Sequence, residues 1–394
     1  MKLSNRVAQI NGENVTDDGW SVLYKARDMI EAGESITNLS IGDHDTDTPS
    51  FILEEMDRSA RAGNTRYAPI PGTDALRTEI AARVTRTTQT PTTKDNIFVT
   101  TGGQGALFAG MMGATDPHQK VVIIDPHYTT YPATVRAASC DIEIVKADAD
   151  NAFQPDPDSL AKACQGASAL LINTPNNPTG AVYTPETLNH IRETCLKNDL
   201  WLLSDEVYET QSHGPQIISP RALPDMAERT LSFGSLSKSH IMTGFRIGWL
   251  VGPPDFVAAL TDLTNATTYG VAGFIQDAAL KALEVGQNTE TETAALYTRR
   301  RNLALETLKG SNAVKISPPD GAMYVMLDIR STGLSGKDFA HKLLETKKIA
   351  VMPGESFGRA AAGHIRIALT VPDEDLAPAL HVISDFAQSQ RGAA

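Results

Sequence analysis

Between about Asn96 and Gly252, short apolar runs recur between stretches of helical periodicity. They are Ile97-Phe98-Val99-Thr100, Val121-Val122-Ile123-Ile124, Ile142-Glu143-Ile144-Val145, Ala169-Leu170-Leu171-Ile172 and Trp201-Leu202-Leu203-Ser204. Such alternation predicts an α/β fold with a mainly parallel sheet covered by helices, because each parallel crossover needs a connection that buries a sheet face. Several runs end in small or polar residues, as in Thr101-Gly102-Gly103, Asn173-Thr174-Pro175 and Asp205-Glu206. In open α/β sheets the ligand crevice lies at those carboxyl ends. From about Glu290 the pattern changes to a long helix through Arg299-Arg300-Arg301, then Met323-Tyr324-Val325-Met326-Leu327, Ile349-Ala350-Val351-Met352 and His364-Ile365-Arg366-Ile367-Ala368. This predicts a smaller α+β domain that the segment around Trp20 to Ile41 joins. The expected division is an N-terminal segment at 1–47 contributing to the small domain, a large domain at 48–289 and a small C-terminal domain at 290–394.

With 394 residues, 41% of them hydrophobic, the chain can bury two cores. Its formal charge of -12 disfavours nucleic acid or an anionic membrane as partner, which leaves small molecules in a local cationic pocket. Cys140, Cys164 and Cys195 are an odd, widely spaced set without metal-ligand or CxxC spacing, so they read as thiols of a reducing compartment, with no metal site. Lys2, Asn5, Arg6, Asn11 and Glu13 interrupt any apolar leader, and no stretch reaches transmembrane length. A cytoplasmic location is expected.

The candidate chemistry centres on Lys238, in Ser235-Leu236-Ser237-Lys238, with Gly244-Phe245-Arg246-Ile247-Gly248 close behind. A lysine amine can hold an aldehyde cofactor as an exchangeable imine, and an arginine offers a phosphate a bidentate partner; a solvated loop lysine is the alternative. Thr101-Gly102-Gly103-Gln104-Gly105 follows a predicted strand and opens a helix, where backbone N–H groups attract anions, although such turns also occur without ligands. Asp205 ends an apolar strand, where a carboxylate needs a cationic partner such as a protonated pyridine nitrogen, or serves as a helix N-cap. Asn173 to Gly180 reads as a rigid polar turn set by Pro175 and Pro178. Tyr128 can lay its ring on a planar ligand or simply pack. Arg366 lies within an apolar strand and needs an anion, either a substrate carboxylate or a structural acid.

In their order along the chain these elements resemble the class I/II aminotransferases, pyridoxal-phosphate enzymes with the fold type I architecture. The resemblance runs from about Ile41 to Arg366. It implies pyridoxal 5'-phosphate as cofactor and catalytic roles for Lys238, Asp205 and Tyr208. Lys238 matches the lysine that binds the cofactor covalently, and Asp205 the partner of the pyridine nitrogen. Tyr208 and Asn177 match the pair on the cofactor's phenolic oxygen. Gly103, Gln104, Ser235, Ser237 and Arg246 match the phosphate site, and Tyr128 the residue stacked on the ring. Tyr67 matches the tyrosine that reaches the phosphate of a neighbouring subunit, which implies a homodimer with shared sites. Arg366, near Gly42 and with Asn177, matches the clamp on the substrate α-carboxylate.

Phrases outside these motifs, such as Phe274-Ile275-Gln276-Asp277 and Asp328-Ile329-Arg330-Ser331-Thr332-Gly333, resemble the arginine–pyruvate transaminases. Two departures from the wider family bear on specificity. Gln104 stands where many aspartate-type relatives carry a lysine for a distal carboxylate, and His44 stands where relatives often have proline. Asp45 and Asp47 are candidates for a cationic donor side chain, solvated loop acids being the alternative. The expected activity is ping-pong transfer of an amino group from arginine or another basic or neutral amino acid to a 2-oxo acid, with pyruvate favoured. Aspartate or aromatic donors with 2-oxoglutarate, a β-lyase on the same fold, and a non-catalytic regulatory module are the alternatives. The short N-terminus has no room for the DNA-binding segment that such a module carries.

Overall fold

A computed structural model of the chain describes residues 3–10, 12 and 20–391. Of the segment expected at 1–47, residues 1, 2, 11 and 13–19 therefore lie outside the described part, as do residues 392–394. No helix among the described residues is long and apolar enough to cross a membrane.

The five apolar runs form β1 (Ile97–Thr100), β2 (Lys120–Asp125), β3 (Asp141–Lys146), β4 (Ala169–Asn173) and β5 (Trp201–Asp205). Two further strands, β6 (Thr230–Ser235) and β7 (Gly248–Val251), complete a seven-stranded sheet in the order β1-β7-β6-β5-β4-β2-β3. Ser232, Gly234, Ser235 and Gly248 dilute the β signal of those two strands. Cross-strand packing demands the glycines: a Cβ on Gly234 would lie 2.4 Å from the Trp249 ring, and one on Gly248 would lie 2.6 Å from the carbonyl carbon of Gly102. The remaining pairs are parallel, but β7 runs antiparallel to both of its neighbours. Its N-terminal end, just after Arg246, therefore meets the carboxyl ends of β1 and β6, on the same sheet edge as those of β4 and β5. At the far edge, β3 exposes Asp141, Glu143 and Lys146, and an exposed charged edge discourages further strand pairing.

The second unit has a four-stranded antiparallel sheet of β8 (Lys315–Ser317), β9 (Tyr324–Asp328), β10 (Met352–Pro353) and β11 (His364–Ala368), ordered β10-β11-β9-β8. The run from Ile349 to Met352 is not one strand. Ile349–Ala350 pairs with Thr37–Asn38 in a separate parallel sheet, and Met352 crosses to β11. Every residue of the run is buried, so its apolar character carries no mark of the switch. Val22 and Ala26, on the helix Trp20–Glu31, and Leu39 share one core with Tyr297, Phe339 and Ile383. An ion-pair chain ties the loop after that segment to the same unit. Arg300 bonds Asp45 at 2.9 and 2.6 Å and Asp373 at 3.1 Å.

Helix Gly102–Ala114 lies on the large sheet and buries Ala106, Leu107 and Met111, although its many glycines are poor helix formers. Close packing explains one of them: a Cβ on Gly110 would lie 2.8 Å from the Phe233 ring and 3.1 Å from Leu250. Gly110→Ala should therefore cost about 1–3 kcal/mol by overpacking. Thermal melting checks it, and an unchanged melting temperature would contradict so tight a contact.

Candidate active site

A cavity of about 300 Å³ opens at the carboxyl ends of the large sheet and is closed by the smaller unit. Its walls include Gly42, Gly103, Gln104, Tyr128, Asn177, Asp205, Tyr208, Ser235, Ser237, Lys238, Arg246 and Arg366, so twelve of the expected site residues converge on one space. Tyr67 does not line it. Its side chain is 87% exposed and packs its ring against Tyr269, with centroids 5.1 Å apart.

Lys238 projects from a single helical turn, Leu236–Ser239, that follows directly from β6. Ser235 caps that turn by accepting the Ser237 N–H at 3.0 Å, and its own hydroxyl faces Ser237 Oγ and the Ile247 carbonyl, each at 2.9 Å. Lys238 Nζ donates to the Gly42 carbonyl at 2.5 Å. Gly42 has to be glycine, since a Cβ there would stand 1.8 Å from the Tyr324 hydroxyl.

Asp205 lines the same cavity. Oδ2 accepts the Tyr131 hydroxyl at 2.7 Å and Oδ1 the Val207 N–H at 3.2 Å. Turn residues follow it rather than a helix, so the N-cap reading is corrected to a local turn bond. Burial pushes the carboxyl up to about 6 against the two hydrogen bonds that lower it. Both of those donors are neutral, so the site has a half-buried carboxylate without a cationic hydrogen-bond partner among the described residues.

Arg366 is the complementary case. On β11 it sits opposite Met326 and Met352, 4% exposed, with its guanidinium carbon 4.4 Å from the Tyr324 ring centre and 4.6 Å from that of Phe357. It donates to Asn177 Oδ1 at 2.8 Å and to the Ser40 carbonyl at 2.5 Å, while Nε is buried without a partner. Burial lowers its pKa, and the surrounding tyrosines oppose that shift. A carboxylate is the ligand such a group lacks.

Arg246 adopts φ +52, a left-handed conformation uncommon for a side-chain-bearing residue and frequent at functional sites. It bonds the Thr243 carbonyl at 2.8 Å and stacks so closely on the helix start that a Cβ on Gly102 would lie 2.5 Å from its guanidinium. Arg246 and the N-terminus of Gly102–Ala114 thus face one place, a setting for a phosphate dianion. Tyr208 shares a 2.9 Å hydrogen bond with Tyr324, and burial first, then its coupling to Tyr324, raises it well above the phenol range, so it stays a protonated donor.

Several partners escaped the sequence reading. Tyr131, Tyr324 and Met352 occupy elements whose apolar pattern marks them as core, and only tertiary packing aims them at the cavity. The Gln104 amide is engaged locally, donating to Thr134 Oγ1 and accepting from Thr130 Oγ1, both at 2.8 Å. Asp45, a candidate for a cationic substrate, is instead paired with Arg300. Burial raises its pKa, but the bonds and charge of Arg300 prevail and lower it. Asp47 is exposed and outside the cavity wall.

Residues 34–383 match the family aminotransferase class I and II. The chain is 39% identical over 385 residues to an arginine–pyruvate transaminase of Pseudomonas aeruginosa, covering 98% of each chain. It is 34% identical over 370 residues to an aspartate/prephenate aminotransferase of Thermus thermophilus, covering 91% of this chain and 93% of the relative. The structure of an aspartate aminotransferase from Thermus thermophilus with maleate superimposes with a TM-score of 0.91 at 32% identity, covering 98% of this chain and 100% of that one. The chain belongs to the class I and II aminotransferases and has their fold type I architecture. Its cofactor is pyridoxal phosphate. The cavity fits that group, with an uncompensated half-buried carboxylate, an amine and a cationic helix terminus around one space.

Asp205 yields a pH prediction. Its folded-state pKa of about 6 lies above the ordinary 3.8, so the native protein holds a proton that the unfolded chain releases. The resulting destabilisation of the cofactor-free enzyme is absent below about pH 4 and complete above about pH 6. Cofactor-free Asp205→Asn should melt above cofactor-free wild type at pH 8, and this difference should shrink as the pH falls to 4. A pH-independent difference would contradict the assignment.

Proposed function

We propose that this aminotransferase takes its amino group from arginine or another basic or neutral amino acid and passes it to pyruvate, in two half-reactions through one site. The observation that carries this reading is the use of charge in the cavity. Among the described residues its wall holds three basic side chains, Lys238, Arg246 and Arg366, and each has a task apart from a distal carboxylate. Gln104, where aspartate-type relatives often have lysine, is neutral and bonded to Thr130 and Thr134. A second carboxylate on the donor would lose its water without ionic compensation from this chain. The similarity to an arginine–pyruvate transaminase over 98% of the chain supports the same reading.

Pyridoxal phosphate, when bound, supplies an aldehyde that takes up the amino group and a ring that withdraws electrons from the substrate's α-carbon. Arg246, Ser235, Ser237 and the N–H groups of Gly103 and Gln104 hold its phosphate, Tyr128 stacks on the ring, and Asp205 keeps a proton on the ring nitrogen. Tyr208 and Asn177 hydrogen-bond its phenolic oxygen. Arg366, oriented by Asn177 and the Ser40 carbonyl, binds the donor's α-carboxylate beside Gly42. Lys238 would anchor the cofactor covalently, and its amine is the group that would move the proton at the α-carbon. Our division of the chain remains 1–47, 48–289 and 290–394, and three buried, unpaired cysteines support a cytoplasmic setting.

The exposed Tyr67 supports a homodimer in which each subunit completes the other's phosphate site. Lys238→Ala should lose more than the roughly 10²- to 10⁴-fold attributable to proton transfer alone. Tyr67→Phe should weaken cofactor retention. After subunit exchange, a mixture of the two variants should exceed the sum of the separate activities, because a heterodimer gathers both defects into one site and leaves the other whole. A merely additive mixture would sink the shared site.

Donor preference is tested by kcat/KM for a panel of amino acids against pyruvate and 2-oxoglutarate. Arginine or a neutral donor with pyruvate should rank first, and the highest value for aspartate or glutamate would overturn the reading.

A further inference from the structure

A cationic donor needs an anion on the cavity wall, and the acidic loop residues first suspected do not provide it. Asp45 is paired with Arg300, and Asp47 lies off the wall. Among the described residues the wall has two carboxylates, Asp205 and Asp43. Asp205 is bonded to Tyr131 and Val207 and is taken by the role proposed above on the ring nitrogen. We infer that Asp43 is the residue that selects donors with a distal cation, an inference that rests on the basic-donor reading above.

Asp43 is exposed, and its hydrogen-bond partners among the described residues are neutral. Oδ1 accepts the Thr243 hydroxyl at 2.8 Å and the N–H of His44 at 3.1 Å, and no hydrogen bond engages Oδ2. The loop that carries it is fastened on both sides. His44 Nδ1 is 2.8 Å from the Tyr297 hydroxyl, Arg300 grips Asp45, and Thr48 Oγ1 donates to the Ile241 carbonyl at 2.5 Å. Burial first and then the charge of Lys238 lower His44 to about 4, so its ring is neutral at physiological pH and does not compete for the Asp43 carboxylate. A carboxylate fixed before the ligand arrives loses little conformational freedom on pairing. Its guanidinium or ammonium partner gains a charge-assisted hydrogen bond, weakened by solvent at an exposed position.

The test uses the holoenzyme and the donor half-reaction, followed by loss of the cofactor's visible absorption, so that no acceptor enters. Arginine is compared with citrulline, its neutral counterpart of nearly equal shape. Wild type should favour arginine, and Asp43→Asn should reduce the arginine/citrulline ratio of kcat/KM roughly two- to fivefold, the scale of a solvent-exposed ion pair. Asp43→Glu should retain most of the preference, which a purely structural role for the Thr243 contact would not predict. Should Asp43→Asn fail to fold, raising salt from about 0.05 to 0.5 M in wild type should itself compress the ratio, since screening acts on the exposed pair. A wild-type preference for arginine that neither Asp43→Asn nor salt diminishes overturns the inference and leaves the donor reading standing. A wild type that prefers glutamate to arginine overturns both.

Discussion

Arg366 is buried and Asp205 half-buried; they carry opposite charges and, among the described residues, have neutral hydrogen-bond partners. Neither arrangement is favourable by itself, since a buried charge without a counter-charge loses its hydration uncompensated. Both line one cavity, and in the function proposed above a carboxylate would meet the first and a cationic ring nitrogen the second. Binding energy is thereby concentrated where the chemistry occurs. Polar groups held in place in advance need little reorganisation when charge develops.

The large sheet makes this placement possible through one reversed strand. Parallel strands deliver Asn173, Asp205 and Ser235 to one edge from their carboxyl ends, and antiparallel β7 brings Arg246 to that edge from its amino end. Glycines at 102, 234 and 248 let backbone, indole and guanidinium approach more closely than any side chain would allow. The smaller unit then closes the space with Arg366 and Tyr324, and the loop from Gly42 to Asp45 is shared between the two. Its carbonyl at Gly42 receives the lysine of the large unit, and its Asp45 is tied to Arg300 of the small one.

The relatives show that one scaffold serves different donors, since aspartate, aspartate/prephenate and arginine–pyruvate enzymes all align along most of this chain. Donor selectivity among such enzymes therefore has to come from local differences in the site and not from the scaffold. Gln104 and Asp43 line the cavity and are the residues proposed above for that part. One is a neutral amide satisfied by its own neighbours, and the other is a carboxylate bonded only to neutral donors.

Much was legible along the chain because it is local. The five apolar runs became strands at their expected places, and motifs such as Ser235-Leu236-Ser237-Lys238 carry their chemistry in contiguous residues. What escaped depends on contacts between distant residues. β6 and β7 hide behind serines and glycines that only cross-strand packing explains, and the break at Val351 is invisible in a run buried throughout. Asp43, Asp45 and Asp47 are near neighbours of the same type, and no pattern in the sequence distinguishes them. The tertiary structure places Asp45 against Arg300, Asp47 in solvent and Asp43 on the cavity wall, because the loop's direction is set by hydrogen bonds to residues about 200 to 250 positions away. Chemical type is a property of the sequence, whereas the partner each charge meets is decided by packing between units remote along the chain.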